Sequence, residues 1–392
     1  MAAAPLQPVL ESLGAELSAW GPPLDPQRPE GGPFVVQSFG ETPAEYAAIK
    51  RHAGLFPVPG RTLLEVTGGD ARDLLNRLAT QDLLTPEDGA AVRTLFLGSR
   101  GLILADAFAL LGEGRVLLDL DTHDAAETLG RLEAARFAED VAFAAADPPR
   151  VPLMLLGPAA AAGLRAAGAE DAAALPPGRF AEATVAGHTL LVHRGTDAGV
   201  PSFRLHPTGA GAAAVFAALL AALGYAGEPA DAADPAAAAA RRRAGLRGRP
   251  VGWEAFNTAR VEAGQPLFHL DYGPGNLVAE AQLVEEAVSF TKGCYPGQEA
   301  VARMKNLGHP KKLLVRLEVE EDDRLPSAGT EVLDPSDPGR VIGAVTSSTP
   351  SPLRGGRAVA LAVVRWGRHK PGQEVRVAAD AGLCAAVVQP LR

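Results

Sequence analysis

From about Lys311 to the end of the chain, short runs of residues alternate between apolar and polar side chains. These runs are KKLLVRLEVE, VIGAVTSST and EVRVAA, and turns rich in proline, glycine and aspartate separate them at 334–339 and 350–356. A period of two places successive side chains on opposite faces of a strand. Several short strands of this kind, joined by turns, predict a small β-barrel or β-sandwich at this end of the chain.

The residues before this segment follow a different pattern, in which strands and helices alternate. Residues 61–83 predict a strand, a Gly-Gly-Asp turn and an amphipathic helix, and residues 91–111 predict a β-hairpin that turns at 98–101. Near Val151 the order of strand, glycine and helix returns, and a second hairpin and an alanine-rich helix follow it. This weak internal repeat predicts two related α+β modules. A chain of 392 residues is also too long for one ordinary core, so two or three domains are expected.

The composition is that of a folded globular protein. Hydrophobic residues make up 47% of the sequence, and no apolar run reaches the roughly 18 residues of a transmembrane helix. The N-terminus lacks the basic and apolar regions of a signal peptide. The two cysteines, Cys294 and Cys384, have no metal-binding spacing and indicate a reducing compartment. A soluble cytoplasmic protein that does not contact a membrane is therefore expected.

Motifs for the common cofactors and nucleophiles are absent from the sequence. It contains no GxxxxGK[ST] loop, no GxGxxG placed after a strand, no GxSxG and no His/Cys cluster with zinc spacing. These absences remove most nucleotide-dependent, hydrolase and metalloenzyme functions, and no metal site is expected.

Positive charge is concentrated in one segment of an acidic chain. The formal net charge is −9, which argues against a surface that binds nucleic acid broadly. Between Thr291 and Arg316, however, six basic residues occur against one acid, and four of the six lysines of the chain lie in this window. Two interpretations of this basic segment stay open: it is a solvated surface, or it is a local site for an anion.

The segment SFTKGCYPGQEAVARMKN (289–306) places Cys294 in a loop of glycines, a proline and polar residues. A lone cysteine is most often a small buried residue, but these neighbours favour a turn. A thiol beside the ammonium group of Lys292 would be more nucleophilic and more reactive toward oxidants. From the residues alone, a buried structural role and a chemical role are both open for Cys294. The apolar surroundings of Cys384 predict a buried side chain.

This segment resembles the signature of the YgfZ family, the folate-binding relatives of the glycine-cleavage T-protein. The family pattern is Lys-Gly-Cys-(Tyr/Phe)-x-Gly-Gln-Glu followed by basic residues, and the chain matches it at Lys292, Gly293, Cys294, Tyr295, Gly297, Gln298 and Glu299. Three other segments are similar to those of the family: ARVEAGQPLFHLD (259–271), SRGLILADAFALL (99–111), and NLVAEAQL (276–283), in which Val278 replaces the usual proline. The resemblance extends from about residue 40 to the C-terminus.

The resemblance implies a fold and a ligand. The fold is a three-domain, T-protein-like ring of the α+β class, in which two related modules and a C-terminal β-barrel surround a channel for tetrahydrofolate or a one-carbon derivative. The predicted domains are an N-terminal extension at 1–35, a first folate-binding-type module at 36–150, a second module at 151–226, a linker or insertion at 227–250, a helix and signature-loop segment that returns to the folate channel at 251–310, and the barrel at 311–392.

The resemblance also assigns roles to individual residues. Asp106 would face the pterin or the folate nitrogens, where the matching acid of the T-protein assists one-carbon transfer, and Cys294 would be a reactive thiol. Arg260 and Glu262 would line the pocket, and Glu280 would read the pterin through paired hydrogen bonds. The remaining ligand-binding residues, including cations for the carboxylates of the folate tail, are Lys292, Gln298, Glu299, Arg303 and Lys305.

Several of these residues also have a structural interpretation. Asp106 can cap the turn beside its hairpin. Arg260 and Glu262 are two positions apart on a predicted helix, so they do not face each other, and either can be solvated.

Three functions follow from these observations. The first is a tetrahydrofolate-binding protein that supports the synthesis or repair of iron–sulfur clusters in client enzymes, including tRNA-modifying ones, with client or assembly proteins as partners. One cysteine cannot hold a cluster alone, so any cluster would be shared with a partner. The alternative is a folate-dependent aminomethyltransferase, and whether the chain turns over a substrate stays open. The third is a scaffold that contacts tRNA through residues 303–316, which is doubtful because no aromatic residues accompany these charges.

Overall fold

The computed structural model describes residues 5–24, 33–225, 247–322, 324–379 and 382–392. The stretch at 227–240, which falls in the predicted linker or insertion, lies outside these residues. Contacts between residues divide the chain into two compact units. Unit 1 comprises Met1–Leu74, Leu83–Val92 and Ala107–Phe256, and unit 2 comprises Leu75–Asp82, Arg93–Asp106 and Asn257–Arg392. The predicted domain bounds stay predictions.

Helices and strands alternate before the C-terminal segment, as the sequence predicts. The helices are α1 (Gln7–Ser12), α2 (Thr42–Arg51), α3 (Ala71–Leu78), α4 (Thr122–Ala135), α5 (Ala160–Ala166), α6 (Glu170–Ala173), α7 (Ala212–Ala222), α8 (Trp253–Glu262), α9 (Val284–Ala287) and α10 (Gln298–Leu307). The strands before residue 311 are β1 (Glu16–Ala19), β2 (Phe34–Ser38), β3 (Ala53–Pro57), β4 (Arg61–Thr67), β5 (Ala90–Leu97), β6 (Ile103–Gly112), β7 (Arg115–Asp121), β8 (Ala142–Ala145), β9 (Leu153–Leu156), β10 (Phe180–Val185), β11 (His188–Asp197), β12 (Val200–Pro207) and β13 (Gly248–Pro250).

A six-stranded sheet in unit 1 has the strand order β10-β11-β12-β9-β3-β13. Neighbouring strands are antiparallel except for β13 and β3, which are parallel. All four residues of β9 are buried, as expected for a central strand with both faces covered. Leu155 of this strand belongs to one core cluster with Leu164 of α5 and Phe216 of α7. The strand, helix and hairpin order predicted after Val151 is therefore confirmed.

A second sheet has the strand order β5-β6-β7-β4-β8. Its strands β5 and β6 are the hairpin predicted at 91–111, and Gly98 and Gly101 form the turn. The N–H of Gly98 donates to the carbonyl of Leu102 at 2.9 Å, and the N–H of Gly101 donates to the carbonyl of Gly98 at 2.8 Å. Gly101 has a φ of +76°, which glycine adopts without steric cost. The hairpin places Asp106 on β6.

The C-terminal strands close into a barrel, which decides between the barrel and the sandwich. They are β14 (Lys312–Val319), β15 (Glu331–Asp334), β16 (Asp337–Pro350), β17 (Ala358–Arg365), β18 (Glu374–Ala379) and β19 (Gly382–Gln389). The order is β14-β17-β16-β15-β18-β19, and β14 also pairs with β19. The period of two in β14 places Val315, Leu317 and Val319 in the barrel core. Cys384 is buried in the same core, as predicted.

Helix α8 ends at Glu262, and Gly264 follows with a φ of +65°, as the sequence predicts. The N–H of Gly264 donates to the carbonyl of Val261 at 3.0 Å, so the glycine closes the end of the helix. A Cβ at Gly264 would lie 1.4 Å from the carbonyl oxygen of Leu391, so no larger residue fits. Within the described ranges, no helix has the length and apolar character needed to cross a membrane.

Candidate functional site

Asp106 lies at the centre of a buried hydrogen-bond network in unit 2. Asp106 is 6% exposed. The guanidinium group of Arg93 donates to both carboxylate oxygens, from Nη2 to Oδ2 at 2.7 Å and from Nε to Oδ1 at 3.3 Å. The phenolic O–H of Tyr272 donates to Oδ2 as well. Charge-assisted bonds of this kind fix the plane of the carboxylate and stabilise its negative charge.

Arg93 also forms an ion pair with a second carboxylate, that of Glu286. Its Nη1 lies 2.7 Å from Oε2 of Glu286, and Arg392 contacts the other oxygen of that glutamate. Burial alone would lower the pKa of Arg93, but the carboxylate of Asp106 and the phenolic oxygen of Tyr272 raise it above its ordinary value. The arginine therefore stays charged, and positive and negative groups alternate from Arg392 through Glu286 and Arg93 to Asp106.

The backbone of Tyr272 lies in a tight turn, and its side chain extends from this turn to Asp106. The N–H of His269 donates to the carbonyl of Tyr272 at 2.7 Å, and the ring of Tyr272 lies 5.4 Å from that of Phe268. Burial and the carboxylate of Asp106 raise the pKa of Tyr272 well above its ordinary value, and Arg93 opposes this effect. The phenol therefore keeps its proton and acts as a donor to Asp106.

Arg260 is 1% exposed, and it makes several hydrogen bonds inside unit 2. Nη1 lies 2.6 Å from Oδ2 of Asp271, Nη2 donates to Oγ of Ser347 at 2.7 Å, and Nε donates to Asn257 at 2.9 Å. Burial lowers the pKa of Arg260, and the neighbouring Asp271 opposes this effect. The contacts join α8 to the barrel strand that carries Ser347, so Arg260 is placed to hold the framework together.

Glu262 and Glu280 are both 8% exposed. Oε1 of Glu262 accepts a hydrogen bond from Oγ of Ser351 at 2.5 Å. Oε2 of Glu280 accepts from Nδ2 of Asn276 at 3.1 Å and from the N–H of Leu277 at 3.2 Å, so this carboxylate closes the turn in which it lies. Both carboxylates have partners of their own within unit 2.

Lys292 binds backbone carbonyls in the last turn of helix α3 and in the residues just after it. Its ammonium group donates to the carbonyl of Ala79 at 2.6 Å, to that of Gln81 at 3.1 Å and to that of Asn76. The last carbonyls of a helix lack partners within the helix, and a cation near them also interacts favourably with the helix dipole. Burial lowers the pKa of Lys292 to about 8, and the charge of Asp82 opposes this effect.

The remaining signature residues build a turn that exposes Cys294. Tyr295 is buried in the core cluster that contains Leu97 and Val301. Gly297 has a φ of +80° at the start of α10, and a Cβ there would lie 2.7 Å from the carbonyl oxygen of Gly98. The turn is therefore fixed on both sides of the cysteine, and the thiol is displayed at the surface.

The last predicted ligand residues lie on or near the outer surface of α10. Glu299 and Arg303 form an ion pair of 2.8 Å one turn apart, with side chains 87% and 64% exposed. Lys305 lies 3.5 Å from the centre of the Phe290 ring. Gln298 begins the helix and is partly buried. The structure thus brings Arg93, Tyr272 and Asp106 together, whereas Arg260, Glu262 and Glu280 each have separate partners.

Sequence reasoning missed Arg93 and Tyr272, which have the closest contacts with Asp106. Arg93 lies on β5 opposite the strand that carries Asp106, so a cross-strand search of the predicted hairpin would have found it. Tyr272 lies 166 residues after Asp106, and no local pattern in the sequence points to it.

A second buried polar cluster lies in unit 1 and contains Asp119, His206 and His193. Arg61 donates from Nε to Oδ1 of Asp119 at 2.9 Å, and Nε2 of His206 lies 3.7 Å from Oδ2. Burial and the charge of Arg204 lower the pKa of His193 to about 3. Burial likewise lowers the pKa of His206 to about 4, against the charge of Asp119. Both histidines are therefore neutral at physiological pH.

Family models match two parts of the chain. The GCVT N-terminal domain matches residues 34–244, which is more than half of the chain. The glycine cleavage T-protein C-terminal barrel domain matches residues 312–391. The chain belongs to the GcvT family. The T-protein-like fold of two modules and a C-terminal barrel is confirmed by these matches, and the ring arrangement stays a prediction.

Curated members of the GcvT family are similar to this chain over most of their length. The aminomethyltransferase of Frankia alni is 31% identical over 89% of this chain and 86% of its own length. That of Moorella thermoacetica is 28% identical over 88% of each chain. Aminomethyltransferases of the family use tetrahydrofolate, so the expected cofactor is confirmed at the level of the family.

A solved structure of the family has the same fold. The glycine cleavage system aminomethyltransferase T of Bartonella henselae superposes with a TM-score of 0.80 and covers 99% of this chain and 96% of its own, at 24% identity. These comparisons assign the GcvT family and do not assign the YgfZ branch within it. The features that favour this branch are the signature residues around Cys294.

Proposed function

We propose that this GcvT-family protein is of the YgfZ type, binds tetrahydrofolate or a one-carbon derivative, and supports the synthesis or repair of iron–sulfur clusters in client enzymes, including tRNA-modifying ones. The observation that carries the proposal is the exposure of Cys294 in a turn built by its neighbours. Two unpaired cysteines also favour a reducing compartment, so we place the protein in the cytoplasm.

The construction of the signature loop argues for a chemical role of the thiol. Lys292 is bound to the end of α3, Tyr295 is part of the core, and Gly297 is required by a left-handed backbone conformation. These three residues fix the conformation of the loop, and Cys294 lies exposed on the loop. A cysteine retained only for packing would be buried, as Cys384 is.

The thiol cannot hold a cluster without help. Four thiolates or equivalent ligands are normally required, and Cys294 supplies one. The proposal therefore assigns to Cys294 a transient contact with a cluster, or with a sulfur carried by a client or assembly protein. That partner would supply the remaining ligands.

The network around Asp106 fits a folate that carries a one-carbon unit on its nitrogens. A pterin offers N–H groups, and Asp106 is a carboxylate whose plane is fixed by Arg93 and whose charge is stabilised by it. We propose that Asp106 hydrogen-bonds to a protonated folate nitrogen and holds the proton there. Of the predicted cations for the folate tail, the exposed Arg303 and Lys305 fit this role better than Lys292, whose ammonium group is bound to carbonyls.

A second candidate function is that of an aminomethyltransferase. The observation that favours it is the similarity to curated aminomethyltransferases along about nine-tenths of each chain, which includes the segment around Asp106. In this function the protein would release ammonia from an aminomethylated carrier and transfer the carbon unit to tetrahydrofolate. Incubation of the protein with such a carrier and tetrahydrofolate, with ammonia measured over time, tests it directly.

Complementation and calorimetry separate the two candidates. In a strain that lacks this gene, we expect the Cys294→Ser variant to fail to restore the activity of iron–sulfur enzymes while the purified variant still binds tetrahydrofolate. The Asp106→Asn variant should bind tetrahydrofolate at least about tenfold more weakly, the cost of one good charged hydrogen bond. Cys384→Ala is the matched control and should restore activity. Full restoration by Cys294→Ser would remove the thiol from the proposal.

A further inference from the structure

Three aromatic rings stack on the surface of the barrel in unit 2. The rings of His309 and Trp366 lie 4.5 Å apart at an angle of 4°, and those of Trp366 and His369 lie 4.1 Å apart at 30°. His309 comes from the segment between α10 and β14, whereas Trp366 and His369 come from the turn between β17 and β18. Trp366 is 40% exposed.

Basic residues are adjacent in sequence to the residues of this stack. Lys311 and Lys312 follow His309, Arg365 precedes Trp366, and Lys370 follows His369. The N–H of Trp366 donates to the carbonyl of Lys311 at 2.8 Å, so the two segments are in direct contact. Lys312 lies 4.0 Å from Glu280. For the other three cations, no carboxylate in the described part of the chain lies within 4.0 Å.

The placement of these charges is not explained by the stability of the barrel. Lys312 and Arg365 are direct partners in the pairing of β14 with β17. Like charges at opposed positions of a sheet are destabilising. The chain carries a net charge of −9, so acidic residues abound elsewhere, yet this surface is basic. A surface that keeps unfavourable like charges and an exposed tryptophan together is typical of a binding site.

We propose that this surface, formed by His309, Lys311, Lys312, Arg365, Trp366, His369 and Lys370, binds single-stranded nucleic acid. Bases would stack on the rings, and backbone phosphates would contact the cations. Flat rings flanked by cations are the features that sequence-tolerant single-strand binding requires. The basic segment at 303–316 has no aromatic residues of the Trp, Tyr or Phe type in its own sequence. The fold brings Trp366 to it from the turn after β17. Residues assigned to the folate and to the thiol are not part of this surface.

The ring of His369 supports stacking and not only charge. Burial, together with the charge of Lys370, lowers the pKa of His369 below its ordinary value, so its ring is neutral at physiological pH. A groove that starts at His369 runs along Leu313, Pro371 and Gln389 and extends the surface with apolar and amide groups. An acidic peptide would use the cations and leave the rings without a role, which is why nucleic acid is the favoured ligand.

Fluorescence anisotropy with labelled twelve-nucleotide oligouridylate and oligothymidylate tests the proposal on the full chain. We expect saturable binding, and Trp366→Ala should weaken it about 5- to 150-fold, the range for loss of stacking on one base. Trp366→Phe should retain most of the affinity. Removing Lys311 or Lys370 should weaken binding and reduce the slope of log K against log salt by about 0.7 for each cation. The two oligonucleotides distinguish RNA from DNA as the ligand.

Arg357→Ala is the matched control, because it removes a barrel cation that is paired with Asp322 at 2.8 Å. It should leave binding unchanged. Thermal unfolding of each variant checks that the barrel is intact. The proposal is overturned if the intact protein shows no saturable binding, or if Trp366→Ala binds as the unaltered chain does. Equal affinity for a poly-glutamate peptide, insensitive to Trp366→Ala, would also overturn it and assign the surface to an acidic protein.

Discussion

The phenolic O–H of Tyr272 donates a hydrogen bond to Asp106, a residue 166 positions earlier in the chain. Together with Arg93, this bond orients the carboxylate that the proposed function places against the folate. The tyrosine cannot ionise near neutral pH, because burial and the adjacent carboxylate raise its pKa. Tyr272 is therefore a fixed donor, and its role is to position Asp106.

Tyr272→Phe removes this donor and leaves the ring in place. We expect the free energy of unfolding to fall by about 1–3 kcal/mol, since the lost bond ends on a buried charge. Affinity for tetrahydrofolate should fall as well. Urea denaturation and calorimetric titration measure the two effects. Tyr295→Phe is the control, because the structure gives the hydroxyl of that buried tyrosine no hydrogen bond to a described residue, and it should change neither quantity.

Arg260→Met tests whether this arginine supports the framework or contacts the ligand. Asp271 would stay buried without its 2.6 Å ion-pair partner, so the free energy of unfolding should fall by about 3–5 kcal/mol. The double variant Arg260→Met/Asp271→Leu should recover part of this loss. If Arg260→Met kept the full stability and lost only folate binding, Arg260 would be a ligand contact, as the family resemblance implies.

Gly297→Ala and Gly293→Ala form a matched pair in the signature loop. A Cβ at position 297 would lie 2.7 Å from a carbonyl oxygen at a φ of +80°, so we expect a loss of about 1–3 kcal/mol in stability. A Cβ at position 293 would have no atom within 4 Å. Gly293→Ala should therefore be nearly neutral, and equal effects in urea denaturation would contradict the described turn.

Lys292→Met removes the ammonium group and keeps the length of the side chain. Three carbonyls near the end of α3 would lose their partner, so a loss of at least about 2 kcal/mol is expected. Lys305→Met, which removes only an exposed cation above the Phe290 ring, should cost less than about 1 kcal/mol. Unchanged stability of Lys292→Met, with a slower reaction of Cys294 toward a disulfide reagent, would instead support activation of the thiol by Lys292.

Acid should destabilise unit 1 through His193 and His206. Their pKa values in the folded protein are about 3 and about 4, below the ordinary 6.5, so the unfolded chain binds protons first as the pH falls. The contribution of the two neutral histidines to the free energy of unfolding is complete above about pH 6.5. It declines toward pH 4, by at most about 1.4 kcal/mol per pH unit for each histidine. Urea denaturation at pH 7.5 and 5 measures this decline.

His206→Gln should reduce the number of protons taken up on unfolding by up to one, and the pH dependence of the free energy of unfolding should fall accordingly. Asp119 does not contribute between pH 7.5 and 5. Burial would raise its pKa, but Arg61, His206 and Arg204 lower it below the ordinary 3.8, so its effect begins only under about pH 4. A pH dependence unchanged in His206→Gln would show that other groups cause the decline.

Local patterns were enough to predict most of the secondary structure. The alternation after Lys311, the glycines of the hairpin turn and Gly264 after α8 each report a backbone requirement that acts within a few residues. The fold class followed from the order of these elements. The closure of the barrel did not, because it depends on the pairing of β14 with β19, which no period within either strand reveals.

The surroundings of the site residues could not be predicted for the same reason. Asp106 was found by resemblance, but the contact with Tyr272 joins segments that are distant in sequence. The role of Lys292 depends on carbonyls at 76, 79 and 81, more than 200 residues away. The exposure of Cys294 agrees with the turn that its neighbours predict, since proline and glycine act locally.

The core of unit 2 has a consequence for how the protein is made. It packs Leu95, Leu97 and Ile103 against Val278, Leu283 and Val301 in one cluster. A ribosome adding roughly 5–20 residues per second needs about 10–35 s to travel from the first group to the second. During that interval the early apolar strands emerge without the residues that cover them. The nascent chain is thus expected to depend on chaperones until its last third is synthesised, and in a fragment that begins at Asn257 the residues of this cluster from Val278 to Val301 should stay uncovered.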